Sequence, residues 1–169
     1  VYKRQIIRFH TRLPIVAPEY FDDKLVNLIG KFNRPEHPVY LVVQIVHPSE
    51  INQEVVHLIY RFALQGITTL NQAPVLKGVN DNQETFNQWH KKMIYAGIRP
   101  YYVIVPIIRP GYNDAYFVPY SKVVKLVAEY SSRYDGLGRP TVIVPIMGRK
   151  MSPVELKEAM IEKQGIHFR

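Results

Sequence analysis

A chain of 169 residues with 47% hydrophobic and 12% aromatic content is long and apolar enough to bury one sizeable core, which excludes a disordered tail. It holds no cysteine, so neither a disulfide nor a thiolate-bound cluster forms within it. The formal charge of +8 raises nucleic acid as a partner, but Lys and Arg are scattered and no nucleic-acid motif accompanies them.

These cations therefore read as solvated helix faces, with a few arginines left for an anionic cofactor or substrate. No apolar run reaches the roughly 18 residues of a membrane span. The opening residues also lack the layout of a signal peptide, so the expectation is a cytoplasmic protein that meets neither membrane nor nucleic acid.

Val1-Tyr2-Lys3-Arg4-Gln5 back-translates to GTG TAT AAG AGA CAG, which resembles the end of a transposase-based sequencing adapter. Residues 1–5 are expected to be such a remnant and residues 6–169 the fold. Ile6-Ile7-Arg8-Phe9 reads as a first strand ending in His10, Thr11 and Arg12, and Pro14 and Pro18 predict an extended loop behind it. Asp22 and Asp23 start a helix with Leu25, Leu28, Ile29 and Phe32 on one face.

The continuous apolar run Val39 to Val46 has the character of a strand buried on both faces of a parallel sheet, with Gln44 and His47 at its end. After Pro48-Ser49-Glu50 a helix carries Val55, Leu58, Ile59, Phe62 and Ala63 inward and stops at Gly66. Ile67 to Leu76 is the third strand, delivering Asn71 and Gln72 before a Gly78-Val79-Asn80-Asp81 turn. Asp81 with Glu84 predicts the cap of a helix whose buried stripe is Phe86, Trp89, Met93 and Ile94.

Tyr101 to Ile108 is a fourth strand and its following loop, Arg109 to Pro119, is long and rich in Gly, Pro, Tyr and Asn. Val123, Val124, Leu126, Val127 and Tyr130 mark the next helix, and Pro140 to Ile146 a fifth strand. Ser152-Pro153-Val154-Glu155 has the spacing of a capping box and opens a last helix lined by Leu156, Met160 and Ile161. Five βα units with short links predict an α/β fold with a parallel sheet and right-handed crossovers.

Because parallel strands point one way, their ends gather polar residues from distant parts of the chain. The candidates are His10, Thr11 and Arg12; Gln44 and His47; Asn71 and Gln72; Arg109; and Arg149 and Lys150. Each also has a structural reading. A lone His is commonly a hydrogen-bonded structural residue, and no His pair has metal-ligand spacing. Arg12 can hold loop carbonyls as readily as a phosphate or carboxylate, and Asn71-Gln72 can pin a turn.

Four blocks stand in order: Arg8-Phe9-His10-Thr11-Arg12-Leu13-Pro14, His47-Pro48-Ser49-Glu50-Ile51, Asn71-Gln72 through Gly78-Val79-Asn80-Asp81, and Arg99-Pro100-Tyr101-Tyr102. In this the chain resembles the lysine 2,3-aminomutase family of radical S-adenosylmethionine enzymes over about residues 6–122, without the family's N-terminal third. The resemblance implies a partial (β/α) barrel and a C-terminal fragment of an isomerase that moves an amino group between neighbouring carbons of an amino acid. It also implies S-adenosylmethionine across the strand ends, a 4Fe-4S cluster that cleaves it to a radical, and pyridoxal phosphate held as a Schiff base by a lysine.

By block matching, Gln72 falls on a family Gln near the cofactors and Gln44 on a position that is often His; with Arg12, His47 and Asn71 they are the expected cofactor-binding residues, and Lys150 is the best match for the Schiff-base lysine. The departures are as informative. The cluster's Cys-x-x-x-Cys-x-x-Cys loop is missing, so this chain alone is expected to be inactive. The glycine-rich loop is shortened to Met147-Gly148-Arg149-Lys150, and the acidic positions that hold lysine's distal ammonium fall near Ile107 and Pro145. Arg109 and Arg149 beside them point to an anionic, glutamate-like substrate.

Two other classes stay open: a cluster-free, non-catalytic binding domain on a half-barrel, and a non-radical (β/α) enzyme using Lys150 as an imine-forming amine. A half-barrel is expected to leave open edges near Ile7 and Ile143 that promote self-association, with a homo-oligomer for the longer parent.

Overall fold

The computed structural model describes residues 5–106, 114–134, 136–146 and 149–156. Arg109, Met147, Gly148, Met160, Ile161 and the first four residues of the adapter-like opening lie outside them. One six-stranded sheet runs in sequence order: β1 (Ile7–His10), β2 (Val39–Val43), β3 (Thr68–Pro74), β4 (Ile98–Ile104), β5 (Thr141–Ile146) and β6 (Arg149–Met151). The first five are parallel neighbours, as the βα repeat predicts. Between them lie α1 (Leu13–Val16), α2 (Asp23–Gly30), α3 (Gln53–Leu64), α4 (Gln83–Tyr95) and α5 (Tyr120–Ser131).

Strand alternation sorts the sheet into two unlike faces. Val39, Leu41, Val43 and Ile45, with Ile98, Val103, Val142 and Val144, join the helix-side core. Each such side chain contributes about 1.5–3 kcal/mol on burial. Val42, Leu70 and Ile143 are equally buried but stand outside that cluster, on the inner face with His10 and Gln72. The helices supply the other half of the core through Val55, Leu58, Ile59, Phe62, Phe86, Trp89, Met93, Val123 and Tyr130.

Several local expectations are corrected. The loop after β1 is not extended: Pro14 sits in the first turn of α1, a position that needs no N–H donor, and a 3₁₀ turn follows at Pro18–Tyr20. On α2 the buried residue is Val26, while Leu28 and Phe32 are exposed because a short helix covers the sheet with a narrow stripe. Ala63 and Ile94 likewise face outward from α3 and α4.

Two caps also shift by a residue or more. Asn52 caps α3 by accepting from Val55 N, after a separate 3₁₀ turn at Pro48–Glu50. Asn82, not Asp81, caps α4 by accepting from Thr85 N. Asp81 turns back instead, accepting from Gly78 N at 2.8 Å, where the chain needs the positive φ that glycine tolerates. The capping box at Ser152 and Glu155 forms, and residues 153–156 are helical.

The larger correction is at the far edge. Arg149-Lys150-Met151 is not a loop but β6, which folds back antiparallel on β5 with Lys150 opposite Pro145 and Arg149 opposite Ile146. The outer edge of β5 near Val144 is therefore covered, whereas β1 pairs only with β2 among the described residues.

Candidate functional site

The strand ends meet on the inner face. His10, Thr11, Arg12, Val42, Gln44 and Gln72 line a cleft of about 120 Å³. Thus β1, β2 and β3 place together the residues that sequence reading had to collect from separate blocks. Gln72 is 8% exposed, so its amide must find a partner or cost free energy. That partner is Lys150: Nζ donates to Oε1 of Gln72 at 2.8 Å and lies 5.4 Å from the centre of the Tyr102 ring.

Tyr102 stands there because of a bulge. Asn71 pairs with Pro100 and Gln72 with Tyr102, leaving Tyr101 as an extra residue in β4. The rings of Tyr101 and Tyr102 stack with centroids 3.7 Å apart, and their hydroxyls are hydrogen-bonded to each other at 2.8 Å. The hydrogen bond with Tyr101, then burial, pushes the Tyr102 phenol up to about 12, so it stays neutral at physiological pH. Both tyrosines were quoted in the fourth block without a role; the proline inside a strand is the signal that a bulge was due.

Arg8 and Lys150 bring positive charge to this face, and Glu155 brings a carboxylate near Tyr102. His10 is held below the usual imidazole range by partial burial, then by the charges of Arg8 and Lys150. Groups on β1 and β6, at opposite ends of the sheet, are thus close enough to act on one another. That proximity is the curvature of a half-barrel.

Other candidates are engaged in holding the strand ends. Arg12 forms an ion pair with Glu50. The second oxygen of Glu50 accepts from Val46 N at 2.7 Å and His47 N at 3.0 Å. His47 Nδ1 is occupied by Ser49, capping the 3₁₀ turn. Asn71 is 2% exposed and exchanges both amide groups with Ile45, accepting from N at 2.8 Å and donating to O at 3.2 Å.

Asn80, which sequence reading placed only in a turn, is fully buried and ties three backbone groups: Leu76 N, Val46 O and Pro74 O. Its position in the Gly78-Val79-Asn80-Asp81 motif was the available sign. Gln44 remains exposed at the cleft, and Arg149 is exposed on β6, its neighbour Lys150 being the one bonded to Gln72. Arg109 lies outside the described residues.

A protein named L-lysine 2,3-aminomutase from Clostridium subterminale is 29% identical over 144 residues, spanning 85% of this chain and 33% of its own length. An Aquifex aeolicus protein bearing that name provisionally is 30% identical over 166 residues, 97% of this chain and 43% of its own. The L-lysine 2,3-aminomutase of Haemophilus influenzae is 35% identical over 99 residues, 59% of this chain and 28% of its own. Over most of its length this chain is similar to proteins named L-lysine 2,3-aminomutase.

It spans under half the length of these aminomutase relatives. No family model matches it. Among solved structures, a radical SAM methyltransferase from Sphaerobacter thermophilus aligns with a TM-score of 0.52 at 16% identity, covering 72% of this chain and 38% of that one. This likeness is one of fold, and it agrees with the partial α/β barrel.

The residues fit one expected cofactor and not another. The ε-amine of Lys150, with the Arg8 guanidinium, the His10 imidazole and a tyrosine platform around it, has the donor set for an aldehyde carrying a phosphate. Cluster thiolates are not in the sequence, and among the described residues no three His, Asp or Glu side chains converge to hold a metal ion. Among the described residues no helix is long and apolar enough to cross a membrane.

Proposed function

We propose that the chain is the cofactor- and substrate-binding strand-end segment of an aminomutase-like isomerase of the radical SAM type, with its cluster ligands outside this sequence. The reaction is migration of an amino group between neighbouring carbons of an amino acid. The observation that supports it is Lys150 meeting Gln72 and Tyr102 on the inner face of a chain similar to proteins named L-lysine 2,3-aminomutase.

In this reading Lys150 is the amine that holds pyridoxal phosphate, whose ring draws electron density from the bound nitrogen and lets it pass between carbons. Arg8 attracts its phosphate, His10 offers it a ring N–H, and the Tyr102 ring lies against one side of the amine. Gln44 and Gln72, with Thr11, offer hydrogen bonds in the cleft, which is large enough for one end of S-adenosylmethionine, the remainder lying across the strand ends. Asn71 and Asn80 hold the loops that shape it.

The substrate is an amino acid with an anionic side chain. Glu50 is committed to Arg12 and two backbone N–H groups, and Glu155, whose charge reaches Tyr102, is tied to Ser152 N, which leaves neither carboxylate free to receive lysine's distal ammonium. Arg149 and Arg109 are the candidates for the anionic end. Without the cluster, this segment alone binds but does not start radical chemistry.

The test is anaerobic reconstitution of the longer gene product with iron and sulfide, with assays for 5′-deoxyadenosine release and for amino migration in L-glutamate and L-lysine. Release with preference for glutamate supports the reading. A longer reading frame with no Cys-x-x-x-Cys-x-x-Cys loop, or a loaded protein that leaves S-adenosylmethionine intact, contradicts it.

A further inference from the structure

Lys150 reaches the inner face from β6, a short strand at the edge of the sheet, yet its amine has two partners on β3 and β4. One is the Oε1 of nearly buried Gln72 at 2.8 Å, the other the face of Tyr102 at 5.4 Å. Both partners are electron-rich and both are neutral. Tyr102 is itself braced, stacked on Tyr101 at 3.7 Å and hydrogen-bonded to it at 2.8 Å.

A carboxylate in the place of Gln72 would stabilise the charged amine through full ionic attraction and hold its proton. A carboxamide oxygen and a ring face fix the position of the amine with far less bias toward the charged form. The charges around the clamp are of both signs: Arg8 acts on His10 and Tyr102, and the carboxylate of Glu155 acts on Tyr102. The amine is thereby positioned on the inner face by two uncharged partners, with no ion pair to a carboxylate among the described residues.

We infer that Gln72 and Tyr102 form a neutral clamp that positions the amine of Lys150 on the inner face, with Tyr101 as the brace behind Tyr102. The clamp deepens the proposed function, since it rests on Lys150 being the working amine. Gln72 and Tyr102 are positioning residues, acting through Lys150. Lys150 is exposed at the sheet edge, so a small reagent reaches it whether or not the clamp is intact.

The test is brief acetylation of the whole 169-residue chain with limiting acetic anhydride, reading the share of label at Lys150 against Lys91 and Lys125 by peptide mass spectrometry. Gln72→Leu and Tyr102→Leu are expected to raise the Lys150 share by about two- to fivefold, the range that loss of a cation–π contact or a neutral hydrogen bond implies. Tyr102→Phe keeps the ring and is expected to restore the wild-type share. Gln72→Glu, which loses no contact, is expected to lower it, and this variant decides the matter if a leucine variant fails to fold. An unchanged share in folded leucine variants, or a raised share in Gln72→Glu, overturns the clamp. The readout depends on the position and protonation of the amine and needs no cofactor, so the clamp is judged even if pyridoxal phosphate does not bind.

Discussion

Lys150 and Gln72 share a 2.8 Å hydrogen bond across 78 residues of sequence, and that single contact ties the edge hairpin to the middle of the sheet. It also brings the Lys150 charge within reach of His10 on β1. Because that charge and Arg8 both disfavour imidazolium, Lys150→Ala and Arg8→Ala are each expected to raise the His10 pKa toward its ordinary value. A histidine NMR titration of the two variants reads this directly; an unmoved or lowered His10 titration contradicts the shared inner face.

The same two cations, Arg8 and Lys150, predict a ligand preference. L-Glutamate is expected to bind more tightly than L-lysine, to weaken as salt is added, and to bind more tightly as falling pH charges His10. Calorimetric titration across pH and ionic strength checks this, and tighter binding of lysine contradicts it.

Asn80 is expected to be among the least replaceable polar residues of the fold. Asn80→Leu strands Leu76 N, Val46 O and Pro74 O in a buried loop. With net hydrogen bonds worth about 1 kcal/mol each and stranded groups costing more, the loss is about 2–4 kcal/mol in denaturant unfolding. Gln83→Leu, with its amide partly buried between Asn87 and Leu126 O, is expected to cost about 1 kcal/mol.

His90 makes the fold acid-sensitive. It is 1% exposed, bonded through Nδ1 to Phe86 O at 2.8 Å and enclosed by Phe86, Trp89 and Tyr130. Burial lowers its pKa from 6.5 to about 3. The folded state keeps it neutral while the unfolded chain takes up a proton below 6.5, so its contribution is intact above pH 6.5 and is lost as pH falls from there toward 3. The slope from this group is at most about 1.4 kcal/mol per pH unit. A His90→Gln variant is expected to flatten the fall in melting temperature between pH 6.5 and 4; an equal fall in both proteins contradicts the assignment.

The outer edge of β1 has no strand beside it among the described residues, and Phe9 on β1, with Leu13 and Val16 on the α1 turn that follows, is exposed. Concentration-dependent association through this edge is expected by light scattering, and Phe9→Lys is expected to reduce it. A monodisperse monomer at high concentration contradicts this.

Periodicity made the parallel order of the first five strands legible, because runs such as Val39 to Val43 are apolar on both faces and the helices between them carry clear stripes. The candidate cleft was legible for a related reason: parallel strands end at one rim, so His10, Gln44 and Gln72 had to be neighbours. Two features escaped. Arg149-Lys150-Met151 is too short and too polar to show strand alternation, and only pairing with β5 makes it β6. Tyr101 and Tyr102 are adjacent in sequence, and plain alternation sends them to opposite faces; the bulge at Asn71/Gln72 is a property of the strand pair. The exposure of Leu28 and Phe32 was hidden too, since an apolar stripe states a preference but not how much surface a neighbour covers.

The account turns on Lys150 as the cofactor-holding amine, and reductive trapping tests it most directly. The chain is mixed with pyridoxal 5′-phosphate, reduced with cyanoborohydride and mapped by peptide mass spectrometry. The account predicts that Lys150 carries the label at low cofactor concentration, with Lys150→Arg abolishing it and Arg8→Ala weakening it. Label spread evenly over surface lysines, and unchanged in Lys150→Arg, would contradict the account.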